Sequence, residues 1–126
     1  LNIYDNGKSD KIKAFPIAMH SKEVFDQLNI QNYNWGGALS SFSNTSDQFE
    51  NNFLPVMEQG SFSLTLDQVI DKLQINGEIN CKIDVDGNEY KIIQGAKKSL
   101  EKKIISSFLI ELRCIKLIKN ISIDKF

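Results

Sequence analysis

An alternation of helix and strand patterns over residues 65–112 constrains the fold of this chain more than any other feature. Two short apolar segments, 79–85 and 104–112, have the length and composition of strands. Each follows a stretch whose apolar residues recur at helical spacing, 65–76 before the first and 89–100 before the second. This order is typical of crossover connections in a parallel sheet. The sequence therefore predicts an α/β fold.

Local signals support both helices. Thr65 and Gln68 have the spacing of a capping box, and Asn76-Gly77 is a plausible stop for the first helix. The second helix has an apolar side formed by Ile92, Ile93, Ala96 and Leu100. Its lysines are predicted to form a solvated face and not a phosphate site: Lys91, Lys97 and Lys98, continuing to Lys102 and Lys103.

The amino-terminal half is less regular. Residues 11–19 are predicted to form a short strand that runs into a turn, and Pro16 argues against a central ladder position at its end. Residues 24–30 alternate loosely, as expected of an edge or half-exposed strand. From 31 to 58 periodicity is lost among Asn, Ser, Gly and Gln. Because this segment is long for a structureless loop, it is predicted to be a functional cover or partly mobile.

Composition excludes several classes of protein. A chain of 126 residues with 41% hydrophobic and 25% charged residues is expected to form one ordinary globular domain. The net charge of -1 gives no broad attraction to nucleic acid or anionic lipid. No apolar run approaches the roughly 20 residues of a membrane span. Two cysteines in apolar segments predict free thiols, a reducing compartment and a cytoplasmic location.

Three acids cluster after the first predicted strand of the helix–strand alternation. In parallel α/β sheets the binding crevice lies beyond the carboxyl ends of the strands. Asp84 and Asp86 are two apart and point the same way while the chain is extended. Gly87 permits a sharp turn, and Glu89 begins the next helix, where a carboxylate is favoured. These residues form a candidate site; the alternative is a solvated turn followed by a helix-start acid.

Two named motifs compete for the same acids. A calcium-binding EF-hand loop needs Gly at its sixth position and Glu at its twelfth. Counted from Asp84, those positions hold Glu89 and Gly95, so this interpretation fails. A haloacid-dehalogenase-like phosphatase would use Asp84 as nucleophile, Asp86 as acid/base and Mg²⁺ as cofactor. Asn88 stands where its Thr should be, and only about 40 residues follow to complete such a hydrolase.

A third pattern accounts for more of the chain. Residues 82–95 read KIDVDGNEYKIIQG and resemble the acidic-strand motif of the FkbM family of methyltransferases. Three further segments resemble family elements and occur in the expected order: IAMHSKE at 17–23, WGGAL at 35–39 and LTLDQVIDKL at 64–73. The resemblance extends over roughly residues 12–112.

The resemblance implies a Rossmann-like methyltransferase fold, a mostly parallel sheet with helices on both faces, here truncated at its amino-terminal side. It also implies S-adenosylmethionine as cofactor and transfer of its methyl group, usually to a hydroxyl oxygen of a sugar, lipid or polyketide-type acceptor. One partial domain is expected over 1–126. Its predicted parts are a strand and an edge strand (1–30), an irregular loop (31–62) and a helix–strand–helix–strand unit (63–126).

The resemblance also implies roles for particular residues. The predicted catalytic residues are Asp84, Asp86 and Glu89. The predicted cofactor-binding residues are Ala18, Met19 and His20, together with Asp84. The predicted substrate-binding residues are Trp35, Gly36 and Gly37, and no metal site is predicted. Gly87 and Gly95 are expected to be structural, one for the turn and the other for close helix packing.

Two departures from the family pattern bear on function. The glycine-rich loop that holds the methionine end of the cofactor, and the acid that holds its ribose, do not occur in these 126 residues and are expected to precede Leu1. Ser21 stands where the family usually has Asp. The neighbouring His20 is predicted to approach the adenine or the acceptor, or else to be a solvated turn histidine. The alternative to an acceptor-side half of a methyltransferase is a catalytically inactive α/β fragment or a binding module.

Overall fold

The computed structural model describes residues 2–32, 34, 40–45 and 52–111. In chain order the elements are α1 (Asn2–Asp5), β1 (Ala18–Met19), β2 (Val24–Ile30), β3 (Ser40–Phe42), β4 (Met57–Leu64), α2 (Leu66–Lys72), β5 (Ile79–Ile83), α3 (Glu89–Gln94), α4 (Lys97–Glu101) and β6 (Ile105–Ile110). The predicted mixture of helices and strands is confirmed. In these described ranges, no helix is long and apolar enough to cross a membrane.

Among the described residues, the strands form two separate sheets. The first has the order β1-β4-β2-β3, with β1 parallel to β4 and β2 antiparallel to both of its neighbours. The second pairs β5 with β6 in parallel, as the crossover pattern predicts. The expectation of one mostly parallel sheet is therefore wrong for the described residues. The physical reason is the short connection between β1 and β2, which lie on either side of β4: residues 20–23 are too few to carry the chain back to the other end of the sheet, so β2 runs opposite to β1 and to β4.

The strand predictions hold in part. The strand predicted over 11–19 is reduced to Ala18–Met19, because Pro16 lacks the N–H that a ladder requires. β2 has the predicted bounds and is half-exposed, which is one of the two predicted alternatives; the other, an edge position, is wrong because β2 lies between β4 and β3. β3 lies inside the segment predicted to be irregular, and β4 begins inside it and extends to Leu64. Their polar residues and Gly60 hide the apolar alternation by which a strand is recognised.

The helices follow their local signals more closely. The capping box at α2 is complete: Gln68 N–H donates to Thr65 Oγ1 at 3.1 Å, and Thr65 N–H donates to Gln68 Oε1 at 2.9 Å. α2 nevertheless ends at Lys72, before the predicted Asn76-Gly77 stop, because Gln74 adopts a positive φ of 51°. The helix predicted over 89–100 is two short helices, α3 and α4, separated at Gly95 and Ala96.

A small core packs α2 and the α3–α4 segment against the second sheet. Its fully buried members come from α2, the α3–α4 junction and β6: Ile70, Ala96 and Ile105. Partly buried side chains complete it: Leu66, Ile79, Cys81, Leu100 and Phe108. Burial of one aliphatic side chain of this size contributes roughly 1.5–3 kcal/mol, so this cluster stabilises the packing of α2 and the α3–α4 segment against β5 and β6.

A hydrogen-bonded link joins α2 to α4. The Asp67 carboxylate accepts hydrogen bonds from the backbone N–H groups of Lys98 and Ser99, both at 2.9 Å, and from Ser99 Oγ at 2.6 Å. The Asp67 N–H donates in turn to the carbonyl of Gly95 at 3.0 Å. Asp67 therefore caps a helix other than its own, which satisfies donors that α4 leaves open at its start.

Candidate functional site

The candidate site begins where β5 ends. The strand stops at Ile83, the chain bends at Asp86 and Gly87, and α3 starts at Glu89. Gly87 has a φ of 94°, a conformation that glycine adopts without steric cost. The glycine expected to make the turn therefore does so.

Asp84 lies on the surface of this turn. Its Oδ2 accepts a hydrogen bond from Lys82 Nζ at 2.7 Å, and its side chain is 50% exposed. Residues two apart in an extended strand point to the same side, which explains the pair. The hydrogen bond from Lys82 to Asp84, with the charge of that carboxylate, raises the lysine pKa. Asp84 is thus an exposed acid beside a lysine.

Asp86 occupies a different environment. It is half-buried, and the bend at 86–87 separates it from the strand. Asp84 and Asp86 were expected to point the same way because an extended chain would align residues two apart. β5 ends at Ile83, so the pair that is aligned in this way is Lys82 and Asp84 instead. The structure places both predicted acids at the carboxyl end of β5 without continuing the strand through them.

Glu89 is the buried acid of the turn. Only 6% of it is exposed, and its Oε1 accepts a hydrogen bond from the Gly87 N–H at 3.2 Å. Within the described ranges no lysine or arginine lies within 4.0 Å of its carboxylate. A buried carboxylate without a neighbouring cation is costly unless a partner is supplied. Among the three predicted acids, Glu89 is therefore the one best suited to meet a cationic ligand.

Asn88 is buried beside Glu89, and sequence reasoning missed it. It is 7% exposed, and its Nδ2 donates to the carbonyl oxygen of Phe42 at 3.4 Å. Its Oδ1 is buried and has no hydrogen-bond partner among the described residues. An asparagine after a glycine normally indicates a turn residue, so the sequence carries no signal that distinguishes this buried asparagine from an exposed one.

His20 follows β1 and is also buried. It is 5% exposed, so the alternative of a solvated turn histidine is wrong. Its ring packs edge-to-face against Phe42, with centroids 5.9 Å apart. Its Nδ1 lies 3.4 Å from Ser21 Oγ, while Nε2 is buried without a partner in the described part of the chain. Burial, followed by the charges of Lys91 and Lys22, lowers its pKa, so the ring is neutral at neutral pH.

The other predicted cofactor residues form the short strand itself. Ala18 and Met19 are half-buried and pair in parallel with Ser63 and Leu64 of β4. The fully buried Ser63 fixes the following turn, because its Oγ donates to the carbonyl of Lys22 at 2.9 Å. Sequence reasoning missed Ser63, since serine in a polar stretch gives no sign of burial.

The predicted substrate-binding residues Trp35, Gly36 and Gly37 lie outside the described residues. Phe42, a few positions later, is 5% exposed and closes against His20. Phe42 therefore joins β3 to the ends of β1 and β5: its ring contacts His20 and its carbonyl contacts Asn88.

A separate cavity of about 560 Å³ lies between the turn after β1, α2 and the α3–α4 segment. Its volume falls within the range of small-molecule pockets. Its lining is polar and of mixed charge: Ser21, Lys22, Glu23, Thr65, Asp67, Gln68, Ile70, Asp71, Gln94, Gly95, Lys98, Ser99, Lys102 and Ile104. Asp84, Asp86 and Glu89 do not line it, so the cavity and the acidic turn are distinct features. The described residues contain no group of three His, Cys, Asp or Glu side chains placed to hold a metal.

The chain is an α/β domain, a class in which ligands generally bind beyond the carboxyl ends of parallel strands, and its acidic turn follows such an end. Within this class, the family model described as the methyltransferase FkbM domain matches residues 16–115. The chain belongs to the FkbM methyltransferase family. Comparison with curated proteins and with solved structures returned no match.

Proposed function

We propose that this chain forms the acceptor side of an S-adenosylmethionine-dependent O-methyltransferase. Its acceptor is a hydroxyl oxygen of a sugar, lipid or polyketide-type molecule. Membership of the FkbM methyltransferase family supports methyl transfer in general. The observation that carries the more specific proposal is Glu89, a buried acid at the carboxyl end of β5 with no cation beside it in the described ranges.

The residues present suit such a cofactor. S-adenosylmethionine supplies a methyl group carried on a positively charged sulfur. A buried carboxylate is a suitable neighbour for that charge, since an opposite charge offsets the cost of burying an acid. The unpartnered nitrogen of His20 offers a polar contact at the end of β1, beside Ala18 and Met19.

Each acid then has a proposed role in transfer. Glu89 lies beside the reacting centre, where its carboxylate balances positive charge or accepts the acceptor's hydroxyl proton as that oxygen takes up the methyl group. Asp86, half-buried on the same turn, is the second candidate for the proton. Asp84 is exposed and paired with Lys82, so its role is to orient the turn or meet the acceptor at the surface. Most of the catalytic effect is expected from alignment of the two reactants.

Calorimetry with S-adenosylhomocysteine, the product form of the cofactor, tests the proposal. The protein that carries this chain should bind it with a dissociation constant below about 1 mM. Replacing Asp86 by Asn should leave the fold intact and reduce methyl transfer. Absence of binding at millimolar ligand would remove the cofactor from the proposal, and unchanged transfer by D86N would remove the role of Asp86.

A further inference from the structure

Two buried side chains near the ends of β1 and β5 each carry a polar atom without a hydrogen-bond partner, as Asn29 and Gln31 also do among the described residues. His20 is 5% exposed and Asn88 is 7% exposed. His20 Nε2 and Asn88 Oδ1 each have no hydrogen-bond partner in the described part of the chain. More than nine in ten buried polar groups in proteins have a partner, so two such atoms require an explanation.

Phe42 contacts both of these side chains. Its ring packs against the His20 ring at 5.9 Å and an interplanar angle of 69°. Its carbonyl oxygen accepts the hydrogen bond from Asn88 Nδ2 at 3.4 Å. Because a carbonyl only accepts, the amide nitrogen of Asn88 must face Phe42, which leaves Oδ1 as the end available to another group.

The two open atoms are complementary to a single hydroxyl group. Asn88 Oδ1 can only accept a hydrogen bond. The neutral His20 ring carries one proton, and when Nδ1 accepts from Ser21 Oγ that proton is on Nε2. The two side chains then present one acceptor and one donor. A hydroxyl both donates and accepts, so it satisfies both atoms at once.

Asn88 lies directly below the surface. Its neighbour Gly87 is exposed, as are Val85 at 38% and Tyr90 at 48%. On the other side, Lys22 is exposed two residues after His20. Both open atoms therefore belong to residues whose neighbours in the chain are exposed at the surface.

We propose that His20 and Asn88 bind one hydroxyl group of the small molecule held at this edge of the protein, with Asn88 Oδ1 accepting from it and His20 Nε2 donating to it. The inference rests on the proposed function for the nature of that molecule. The hydroxyl belongs either to the cofactor ribose or to the methyl acceptor, and both would be recognised by the same chemistry.

Nuclear magnetic resonance can follow both side chains in the whole protein. The Asn88 side-chain amide and the His20 ring nitrogens are observed during titration with S-adenosylhomocysteine and, separately, with glycerol as a generic acceptor-type hydroxyl. We expect one of the two probes to shift both sets of resonances. A response to S-adenosylhomocysteine identifies the ribose as the source, and a response to glycerol alone identifies the acceptor. Failure of both probes to shift both side chains overturns the proposal.

Two variants and one control make the test quantitative. Asn88→Leu should weaken, by about tenfold, binding of the probe that responds. His20→Phe, which keeps a ring against Phe42, should independently have the same effect. Asn76→Leu replaces an exposed asparagine and should leave affinity within about twofold. If N88L does not fold, the affinity of H20F for the same probe tests the proposal.

Other outcomes separate this proposal from the proposed function. Unchanged affinity in both variants with a lowered melting temperature would mean that a buried water serves the open atoms, which overturns the proposal while the methyltransferase function stands. Loss of S-adenosylhomocysteine binding by the wild type itself would instead contradict the proposed function, and the glycerol titration would still decide the hydroxyl site.

Discussion

Gly95 lies so close to His20 that a Cβ atom at position 95 would be 2.5 Å from the His20 carbonyl oxygen. The same Cβ would be 3.2 Å from Thr65 Cβ. The end of α3 is therefore packed directly against the turn after β1, without room for a side chain. His20 belongs to the candidate site, and α3 begins at Glu89, the buried acid of that site. The contact at Gly95 therefore sets the distance between the turn that carries His20 and the helix that begins at Glu89.

Gly95→Ala should accordingly destabilise the protein. The clash is with backbone, which cannot rotate away, so we expect a loss of about 1–3 kcal/mol in the free energy of unfolding. Urea denaturation measures it. Gly60→Ala is the control, because no heavy atom lies within 4 Å of a Cβ there, and it should change stability by less than about 0.5 kcal/mol. Equal stability of G95A and wild type would contradict the close packing.

Asp67→Ala should also destabilise the protein, because it removes three hydrogen bonds that fasten α4. Loss of a helix-capping side chain costs about 0.5–2 kcal/mol. Asp71→Ala is a matched control, since Asp71 is an exposed acid on the same helix. Thermal denaturation of the two variants should place D67A several degrees below D71A. Identical melting temperatures would show that the link between α2 and α4 contributes nothing.

His20 should make stability depend on pH. Burial lowers its pKa in the folded protein below the usual 6.5, so the unfolded chain binds the proton more readily. The contribution of the neutral ring is full above pH 6.5 and falls as pH decreases from 6.5 through the folded pKa. Unfolding free energies measured between pH about 5 and 8 should rise with pH.

The variant His20→Phe should lose this dependence. His20 is the only histidine, so no other histidine contributes in that range. The difference between wild type and variant isolates the imidazole from the carboxylates, which titrate lower. A slope of the same size in both proteins would mean that His20 is not the titrating group.

Cys81 should react slowly with alkylating reagents. Burial raises the pKa of its thiol, which leaves little thiolate at neutral pH, and the thiolate is the reactive form. Peptide mapping by mass spectrometry after brief iodoacetamide treatment should find Cys81 labelled several-fold more slowly in buffer than in denaturing urea. Comparable rates in the two conditions would contradict the packing of Cys81 against the core.

Local chemistry in the sequence predicted the elements that depend on neighbours in the chain. Thr65 and Gln68 form the predicted capping box, and β5 and β6 pair in parallel as the helix–strand alternation indicates. Gly87 and Gly95 have the turn and packing roles expected of them. The failures concern distant partners. β4 is stabilised by pairing along all of β2, a contact that its own polar residues do not reveal.

The sequence predicts the acidic turn after β5 but not the environment of each of its acids. The turn after β5 was correctly identified as acidic and sharply bent. Which acid is buried could not be read from the spacing, because burial of Glu89 and exposure of Asp84 depend on where the strand stops. Asn88 and His20 are buried because Phe42 folds over them from β3, a strand that the sequence did not indicate.

The most direct test of the account compares two ligands that differ in charge. S-adenosylmethionine carries a positively charged sulfur and S-adenosylhomocysteine does not. The ratio of their affinities therefore measures the attraction between that charge and a neighbouring acid. Calorimetry of wild type and Glu89→Gln should show about tenfold weaker binding of S-adenosylmethionine by the variant, with S-adenosylhomocysteine changed less than about threefold. Glu78→Gln, at an exposed acid, should change neither.

A changed ratio in E89Q assigns Glu89 to the positive charge, and an unchanged ratio with lost methyl transfer assigns it to the proton. If E89Q binds both ligands and transfers methyl as the wild type does, Glu89 has no place at the reacting centre and the central claim is wrong.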